Sequence, residues 1–497
     1  MTNGYILAID QSTSATKAMF FNEKGELVHR CNASHEQFYP AEGWVEHDAA
    51  EIYRSLESAV AQLYEETGVS PASVKAIGLS NQRETVLVWD RKTGEPVYNA
   101  IVWQCNRATE ICKAIERAGH GELIRRKTGL ILSPYFSASK IKWILDNVEG
   151  VRERANAGEL AFGTIDSWVV WCMTGGKIHA TDYSNASRTQ LFNLHTNSWD
   201  QEIFDLFTIP MSMAPEVKDS NACFGYTSKD SVFGAEIPIN GVLGDSHGAL
   251  FGQNCFESGM TKTTYGTGSS IMMNIGKQIK ESKNGLVTSI GWCLNGEVEY
   301  VFEGNINCTG DTIRWLAEDL QLISSPKDSE AIAREVSDSG SVYFVPAFVG
   351  LSAPYWDSDA RATITGMTRG TRKAHVVRAA LESITYQITD VLSLMVSEAG
   401  IVLNELRVDG GPTKNSLLMQ FQSDISRVPV VVSSIEELSA TGAAYMAGLS
   451  VGIWRSKEEI SRLRKVDKRY EPVISQEKRD QLYEGWKQAV RRTRSDI

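Results

Sequence analysis

Two apolar runs, one near the start of the chain and one at its middle, each end in an aspartate followed by small polar residues. They are Tyr5-Ile6-Leu7-Ala8-Ile9-Asp10-Gln11-Ser12-Thr13-Ser14 and the run reaching Gly244-Asp245-Ser246-His247-Gly248. Buried strands that each deliver one carboxylate to a polar turn predict a two-lobed α/β protein with acidic groups facing one cleft. One such carboxylate can hold Mg²⁺, which prefers oxygen ligands. The other can accept a proton from an attacking hydroxyl. Asp10 and Asp245 are therefore the candidate catalytic and metal-holding pair, and their division of labour is that of phosphoryl transfer.

The 497 residues suggest two to four domains. A net charge of −11, with both signs spread along the chain, excludes a nucleic-acid footprint, which needs a basic stripe. The opening Met1-Thr2-Asn3-Gly4 does not resemble a signal peptide. No run of about 18 apolar residues is present, so no membrane insertion is expected. The eight cysteines show no CxxC pairing, as in reduced thiols of a cytoplasmic enzyme. The histidines show no metal spacing, so no zinc site is expected.

Alternation predicts strands over 5–10, 15–22 and 27–33, a helix over 49–66 with Ile52, Leu56, Ala59 and Leu63 on one face, and a buried strand over 74–80. The segment 84–90 is expected to pair with 74–80. A related pattern recurs as strand 261–264, the turn Tyr265-Gly266-Thr267-Gly268 and strand 269–275. Helices are expected over 308–320 and 375–399. A strand over 405–409 then meets Gly410-Gly411, and a helix begins near Lys414. The two similar halves imply a duplicated lobe, 1–252 and 253–497. The tail, 475–492, reads as a solvated amphipathic cap on the second lobe.

Ser12, Thr13 and Ser14 offer hydroxyls and amides for phosphate oxygens. Gly248 is expected to let a helix N-terminus approach the site. Asn81-Gln82-Arg83-Glu84 ends a buried strand, and with Trp103 and Tyr135 it describes a pocket for a hydroxylated ligand, charges bonding hydroxyls and rings packing on carbon. Asp245, Ser246 and His247 are adjacent on one turn and cannot form a hydrolytic relay. Gly266-Thr267-Gly268 lacks the third glycine of a dinucleotide fingerprint, and no G-x-x-x-x-G-K-[ST] occurs.

Gly43-Trp44-Val45-Glu46-His47-Asp48, the segment 80–85, Ile101-Val102-Trp103-Gln104-Cys105 and the segment 407–411 resemble glycerol kinases. The segments 135–144 and 366–382 are similar to the two signatures of the wider FGGY carbohydrate kinase family. The resemblance runs from Tyr5 to about Arg491. It implies two actin-like ATPase (ribonuclease H-like) lobes with a catalytic cleft between them, and it implies ATP with Mg²⁺. The activity implied is ATP-dependent phosphorylation of a primary hydroxyl of a small polyol, glycerol to glycerol 3-phosphate.

By carry-over Asp245 is the general base and Asp10 helps hold Mg²⁺. Thr13, Ser14, Ala15 and Lys17 line the phosphates, and Thr267, Gly310, Arg314, Gly411 and Asn415 contact the nucleotide. Arg83, Glu84, Trp103, Tyr135, Asp245 and Ser246 bind the polyol. A homodimer or homotetramer is implied as well. The chain departs from the glycerol kinase pattern at Ser12 and Lys17, and on the substrate side at Ser246, His247 and Ser270, where glutamines and an aromatic residue are usual. Those shorter side chains point to an alternative, a kinase for a larger polyol or ketose such as a tetritol, pentitol or xylulose-like sugar. The stretch 226–237 lacks both the glycine-rich loop with arginine and the histidine through which some relatives are regulated, so neither control is expected. An actin-like nucleotide switch without small-molecule turnover is the reading from another class, and it does not need Arg83, Glu84, Trp103 and Tyr135.

Overall fold

The computed structural model describes residues 4–495, so Met1-Thr2-Asn3 of the opening lie outside the described residues. Two sheets carry the fold. In the first, β1 (Tyr5–Gln11), β2 (Ala15–Asn22), β3 (Leu27–Ser34), β4 (Val74–Asn81) and β5 (Ile239–Gly244) lie in the order β5-β4-β1-β2-β3. β1, β2 and β3 run antiparallel in succession, and β4 and β5 continue parallel to β1. The second sheet contains β6 (Thr261–Tyr265), β7 (Ser269–Gly276), β8 (Val287–Leu294), β9 (Glu297–Ile306), β10 (Leu406–Asp409), β11 (Val430–Ser433) and β12 (Val466–Tyr470). Its order is β8-β9-β7-β6-β10-β11-β12. Again a central strand has antiparallel neighbours on one side and two parallel strands on the other. Each sheet thus repeats one plan, and each central strand ends in a polar turn.

α1 (Ala49–Thr67) lies against β2 and β3. Its apolar stripe of Ile52, Leu56, Ala59, Val60 and Leu63 is buried. Asp48 caps its start by accepting from Ala50 N at 2.8 Å, and Gly68 ends it in the left-handed region. α2 (Asp245–Gly252) follows β5 directly, and α3 (Gly310–Glu318) follows β9. α4 (Lys373–Ala399) packs on the second sheet.

The helix after β11, α5 (Leu438–Ser450), crosses back onto the first sheet. It packs against α2, β1, β4 and β5. Backbone meets backbone there. A Cβ on Gly442 would sit 1.9 Å from the Gly248 carbonyl oxygen, and one on Gly78 would sit 2.3 Å from that of Ala443. Gly248 therefore serves helix packing, with Ser439 O 2.8 Å from where its Cβ would stand, in a helix whose first residue is Asp245. Gly442→Ala gains about 1 kcal/mol of helix propensity. The overlap it creates is with unyielding backbone, and overpacking costs about 1–3 kcal/mol or more. The variant is expected to melt below the native protein in a thermal scan.

The segment 84–90 departs from expectation. Val86–Asp90 leaves the first sheet and forms a separate, four-stranded antiparallel one with Glu46–His47, Ala100–Ile101 and Leu160–Thr164. The exit is made at Glu84, whose φ of 61° turns the chain out of the line of β4. A non-glycine residue held there is costly, and such strain gathers at functional sites.

The tail helix α6 (Gln476–Thr493) is more than a solvated cap. Tyr483, Trp486, Ala489 and Val490 are buried in a cluster with Tyr386 and Phe421. The carboxylate of Asp390, on α4, accepts from the Tyr483 hydroxyl, from Trp486 Nε1 at 2.7 Å and from the Tyr355 hydroxyl at 2.9 Å. All eight cysteines are free, and among the described residues no helix is long and apolar enough to cross a membrane.

Candidate functional site

β1, β4 and β5 are parallel neighbours, so their C-terminal ends open on one edge, where open α/β sheets bind ligands. Asp10 stands near the end of β1, Arg83 and Glu84 follow β4, and Asp245 follows β5. The two predicted carboxylates are thereby brought to one edge, on the strands either side of β4. Arg83 Nε lies 2.9 Å from Asp245 Oδ1. The Asp245 side chain is 40% exposed, whereas Asp10 is buried at 7%. Burial pushes the Asp10 carboxyl up to about 6, against Lys17, which pulls it down, and with Asp245, which adds to the rise. Lys17 itself is paired to Glu437 at 2.7 Å, so among the described residues Asp10 has no ion-pair partner within 4.0 Å. A buried carboxylate without a counter-ion, beside a second carboxylate, is the donor chemistry a magnesium ion requires.

Arg83 is held from the other side by a residue of the second sheet. Glu303, on β9, accepts from Arg83 Nη1 and Nη2, both at 2.9 Å. The same carboxylate lies 2.9 Å from Arg188 Nη1, and Arg188 Nε donates to Glu84 at 2.5 Å. All four side chains are buried. Burial raises the Glu303 carboxyl, but Arg188 and Arg83 overcome this and hold it well below the usual carboxylate range. This bidentate, doubly shared geometry is what allows charges to be stable out of water. It fixes Arg83, and through Arg83 it aims Asp245.

Arg83 Nη2 also donates to Ser246 Oγ at 3.2 Å. His247 points elsewhere, buried, with Nε2 3.2 Å from Ser289 Oγ. Burial, then Arg83, push its pKa well below the ordinary histidine value, so it is neutral. Its ring is thus turned to Ser289 and not to Ser246, its neighbour on the turn.

Trp103 and Tyr135 form an aromatic wall, ring centroids 5.5 Å apart and tilted by 62°. Trp103 Nε1 donates to Thr13 Oγ1 at 3.0 Å, tying the wall to the turn after β1. That turn is closed by Ser12, whose N–H and hydroxyl both donate to the Ala15 carbonyl, at 2.9 and 2.8 Å. Behind the wall lies Lys140, fully buried, donating to the Tyr135 carbonyl at 2.6 Å. Burial pushes its ammonium down to about 7.

On the second sheet, the turn after β6 caps α3. Gly310 N donates to Gly266 O at 2.9 Å, and Asp311 N to Thr267 O at 3.1 Å. Beside it opens a cavity of about 580 Å³ walled by Gly310, Ile313, Gly411, Asn415 and Leu418. Three of the predicted nucleotide residues, Gly310, Gly411 and Asn415, thus converge. Arg314 does not line it and turns back to Asp311 at 2.8 Å. Asn415 caps the helix Ser416–Ser426 by accepting from Leu418 N at 2.9 Å.

Residues 5–252 match the N-terminal domain of the FGGY family of carbohydrate kinases, and residues 261–451 match its C-terminal domain. The chain belongs to this family. It is 52% identical to glycerol kinase 2 of Thermotoga maritima over 489 residues, 98% of each chain. It is 53% identical to the glycerol kinase of Pseudothermotoga lettingae over 494 residues, 99% of each. The crystal structure of Plasmodium falciparum glycerol kinase with ADP has a TM-score of 0.94 to it at 38% identity, covering 99% of this chain and 98% of that one.

Three charged residues of this FGGY kinase were not anticipated: Arg188, Glu303 and Lys262. Lys262, on β6, is 1% exposed and donates to Thr264 Oγ1 at 3.1 Å and Ser270 Oγ at 3.4 Å. Burial lowers its pKa, and Asp409 opposes that. The available signal was a charge set in an otherwise uncharged run, Lys262 among Thr261, Thr263 and Thr264, and Glu303 after the apolar Tyr300-Val301-Phe302. A charge buried in a strand has a partner.

Proposed function

We propose that this kinase transfers the γ-phosphoryl group of ATP to a primary hydroxyl of glycerol, giving glycerol 3-phosphate and ADP. The observation that carries the reading is Asp245, a half-exposed carboxylate clamped by Arg83 on the edge where Asp10, the Trp103–Tyr135 wall and the Thr13 turn meet. Arg83 and Glu84 bond the polyol hydroxyls, and Trp103 and Tyr135 pack on its carbon face. Asp245 takes the proton of the attacking hydroxyl as its oxygen bonds to the γ-phosphorus and the bond to the β-bridging oxygen breaks. Thr13, Ser14 and Ala15 offer the phosphates hydroxyls and amides, with Lys17 behind them. Gly310, Gly411 and Asn415, which line the cavity of about 580 Å³, hold the nucleoside end, with Thr267 on the turn that caps α3 beside it. Asp10, with Asp245, would hold Mg²⁺, which when bound neutralises charge on the phosphates.

The lobes are 1–252 and 253–497, supported by the two sheets of one plan, with α5 crossing from the second to the first. Closure of such lobes excludes water from the transfer. Family likeness supports a homodimer or homotetramer and a cytoplasmic location.

One observation favours a second reading. Ser246 and Ser270 are short, and Ser270 Oγ accepts from Lys262 Nζ at 3.4 Å. That leaves room for a tetritol, pentitol or ketose. Measuring kcat/KM for glycerol, erythritol, threitol, xylitol, D-xylulose and D-ribulose in a coupled assay separates the two. Glycerol is expected to lead by at least tenfold, about 1.4 kcal/mol of transition-state discrimination. A lead by a four- or five-carbon substrate overturns the glycerol reading, and ATP turnover indifferent to every polyol overturns the kinase reading.

A further inference from the structure

β3 is an edge strand of the first sheet, and successive side chains alternate between its faces. Arg30 points toward Glu437, at 2.6 Å. His29 and Cys31, flanking it, share the opposite face, toward the C-terminal end of α1. There Glu66 brings Oε2 to 2.6 Å from His29 Nε2 and 3.5 Å from Cys31 Sγ. The imidazole nitrogen, thiol sulfur and carboxylate oxygen all lie within 4.8 Å of one another. One turn earlier on α1, Gln62 donates to the other carboxylate oxygen of Glu66 at 2.7 Å. That bond orients the carboxylate and leaves Oε2 free for the pair on β3, as outer-shell groups do around metal ligands. Cys31 is 4% exposed, while the His29 and Glu66 side chains are 41% and 43% exposed. The cluster therefore has a buried sulfur floor and a side open to water.

We propose that His29, Cys31 and Glu66 form a binding site for a divalent transition-metal ion of the zinc type. The donor set decides the class. Thiolate with imidazole and carboxylate suits Zn²⁺ and its borderline neighbours, whereas Mg²⁺ and Ca²⁺ take oxygen ligands. Three protein ligands with an open fourth position match a tetrahedral ion completed by water. Burial, then Glu66, hold the Cys31 thiol up at about 11, so without a cation the sulfur keeps its proton and donates it toward the Glu66 carboxylate. Binding forms the sulfur–metal bond and releases the thiol proton to solvent. None of the three residues belongs to the phosphoryl-transfer site, and the ion would pin edge strand β3 to the end of α1. The sequence hid the site because two ligands lie at i and i+2 on a strand and the third is 35 residues beyond Cys31, unlike the typical C-x₂₋₄-C … H-x₃₋₅-H spacing of structural zinc sites.

Co²⁺ is a spectroscopic stand-in for zinc. Full-length protein stripped with a chelator and titrated with Co²⁺ is expected to show, at one equivalent, a sulfur-to-cobalt charge-transfer band with tetrahedral ligand-field bands. Cys31→Ser is expected to abolish the charge-transfer band. His29→Gln, at an exposed position, is expected to weaken binding at least tenfold. Cys223→Ser, which removes the exposed thiol, is expected to leave the titration unchanged. Zn²⁺ should raise the melting temperature of the native chain and not of Cys31→Ser. Absence of a band, or a band that survives Cys31→Ser, overturns the proposal.

Discussion

Asp245→Asn is expected to lower kcat by about 10²–10⁴, the span that a positioned general base contributes, while leaving the KM for ATP within a few-fold of native. The amide keeps an oxygen for Arg83 Nε, now at 2.9 Å, and keeps the shape of the side chain. What it loses is the capacity to accept the hydroxyl proton as the oxygen–phosphorus bond forms. Positioning, which the Arg83–Glu303–Arg188 network supplies from behind, survives the change. A loss confined to kcat is the signature of an interaction made in the transition state and not in the ground state. Ser246→Ala is the matched control. It removes the 3.2 Å bond from Arg83 without touching the carboxylate, and its kcat is expected to stay within tenfold of native. Steady-state kinetics in a coupled ADP assay reads both. If Asp245→Asn retains more than a tenth of the native kcat, the general base is another group.

The parts of this site legible in the sequence share one property, that their signal is local. An apolar run ending in Asp10 or Gly244-Asp245 announces a strand end, and glycines or small hydroxyls announce the turn beyond it. The first sheet's strands 5–10, 15–22, 27–33 and 74–80 follow from the same local alternation and match β1 to β4 to within a residue. The parts that were hidden depend on partners far away in the chain. Arg83 and Glu303 are 220 residues apart, and neither carries a local mark of the other. Val86–Asp90 has the alternation of a strand, but alternation does not say which sheet receives it. The answer came from a single backbone conformation, the positive φ of Glu84. The tail helix misled for a related reason. Its charged face dominates its composition, while Tyr483 and Trp486 make its docking through the buried carboxylate of Asp390, which no helical period can reveal. α5 carries its small residues for a helix 190 or so positions earlier, so Gly442 reads as an ordinary helix glycine until Gly248 is placed beside it.

Asp10→Asn is expected to stabilise the free protein at neutral pH and to remove nearly all of its kinase activity. The carboxyl is buried and without an ion-pair partner among the described residues, and burial lifts it from 3.8 to about 6. With the folded pKa above the unfolded one, the folded state binds the proton more tightly. The favourable contribution is therefore full below pH 4 and is lost as pH rises through about 6. A shift of this size corresponds to roughly 3 kcal/mol of stability lost by pH 7. Asparagine carries no charge to desolvate, so the variant should melt several degrees above native at pH 7.5, and the difference should vanish below pH 4. The same charge is what a magnesium ion on the phosphates would need, so kcat is expected to fall by at least about 10², as for loss of one preorganised electrostatic contact. Nucleotide with Mg²⁺ should then raise the melting temperature of the native protein more than that of the variant, closing the gap between them. A variant that melts below native at pH 7.5, or that keeps its activity, contradicts the role assigned to Asp10. Opposite signs in stability and activity distinguish this residue from a structural one, because a buried charge retained at such a cost is kept for what it binds.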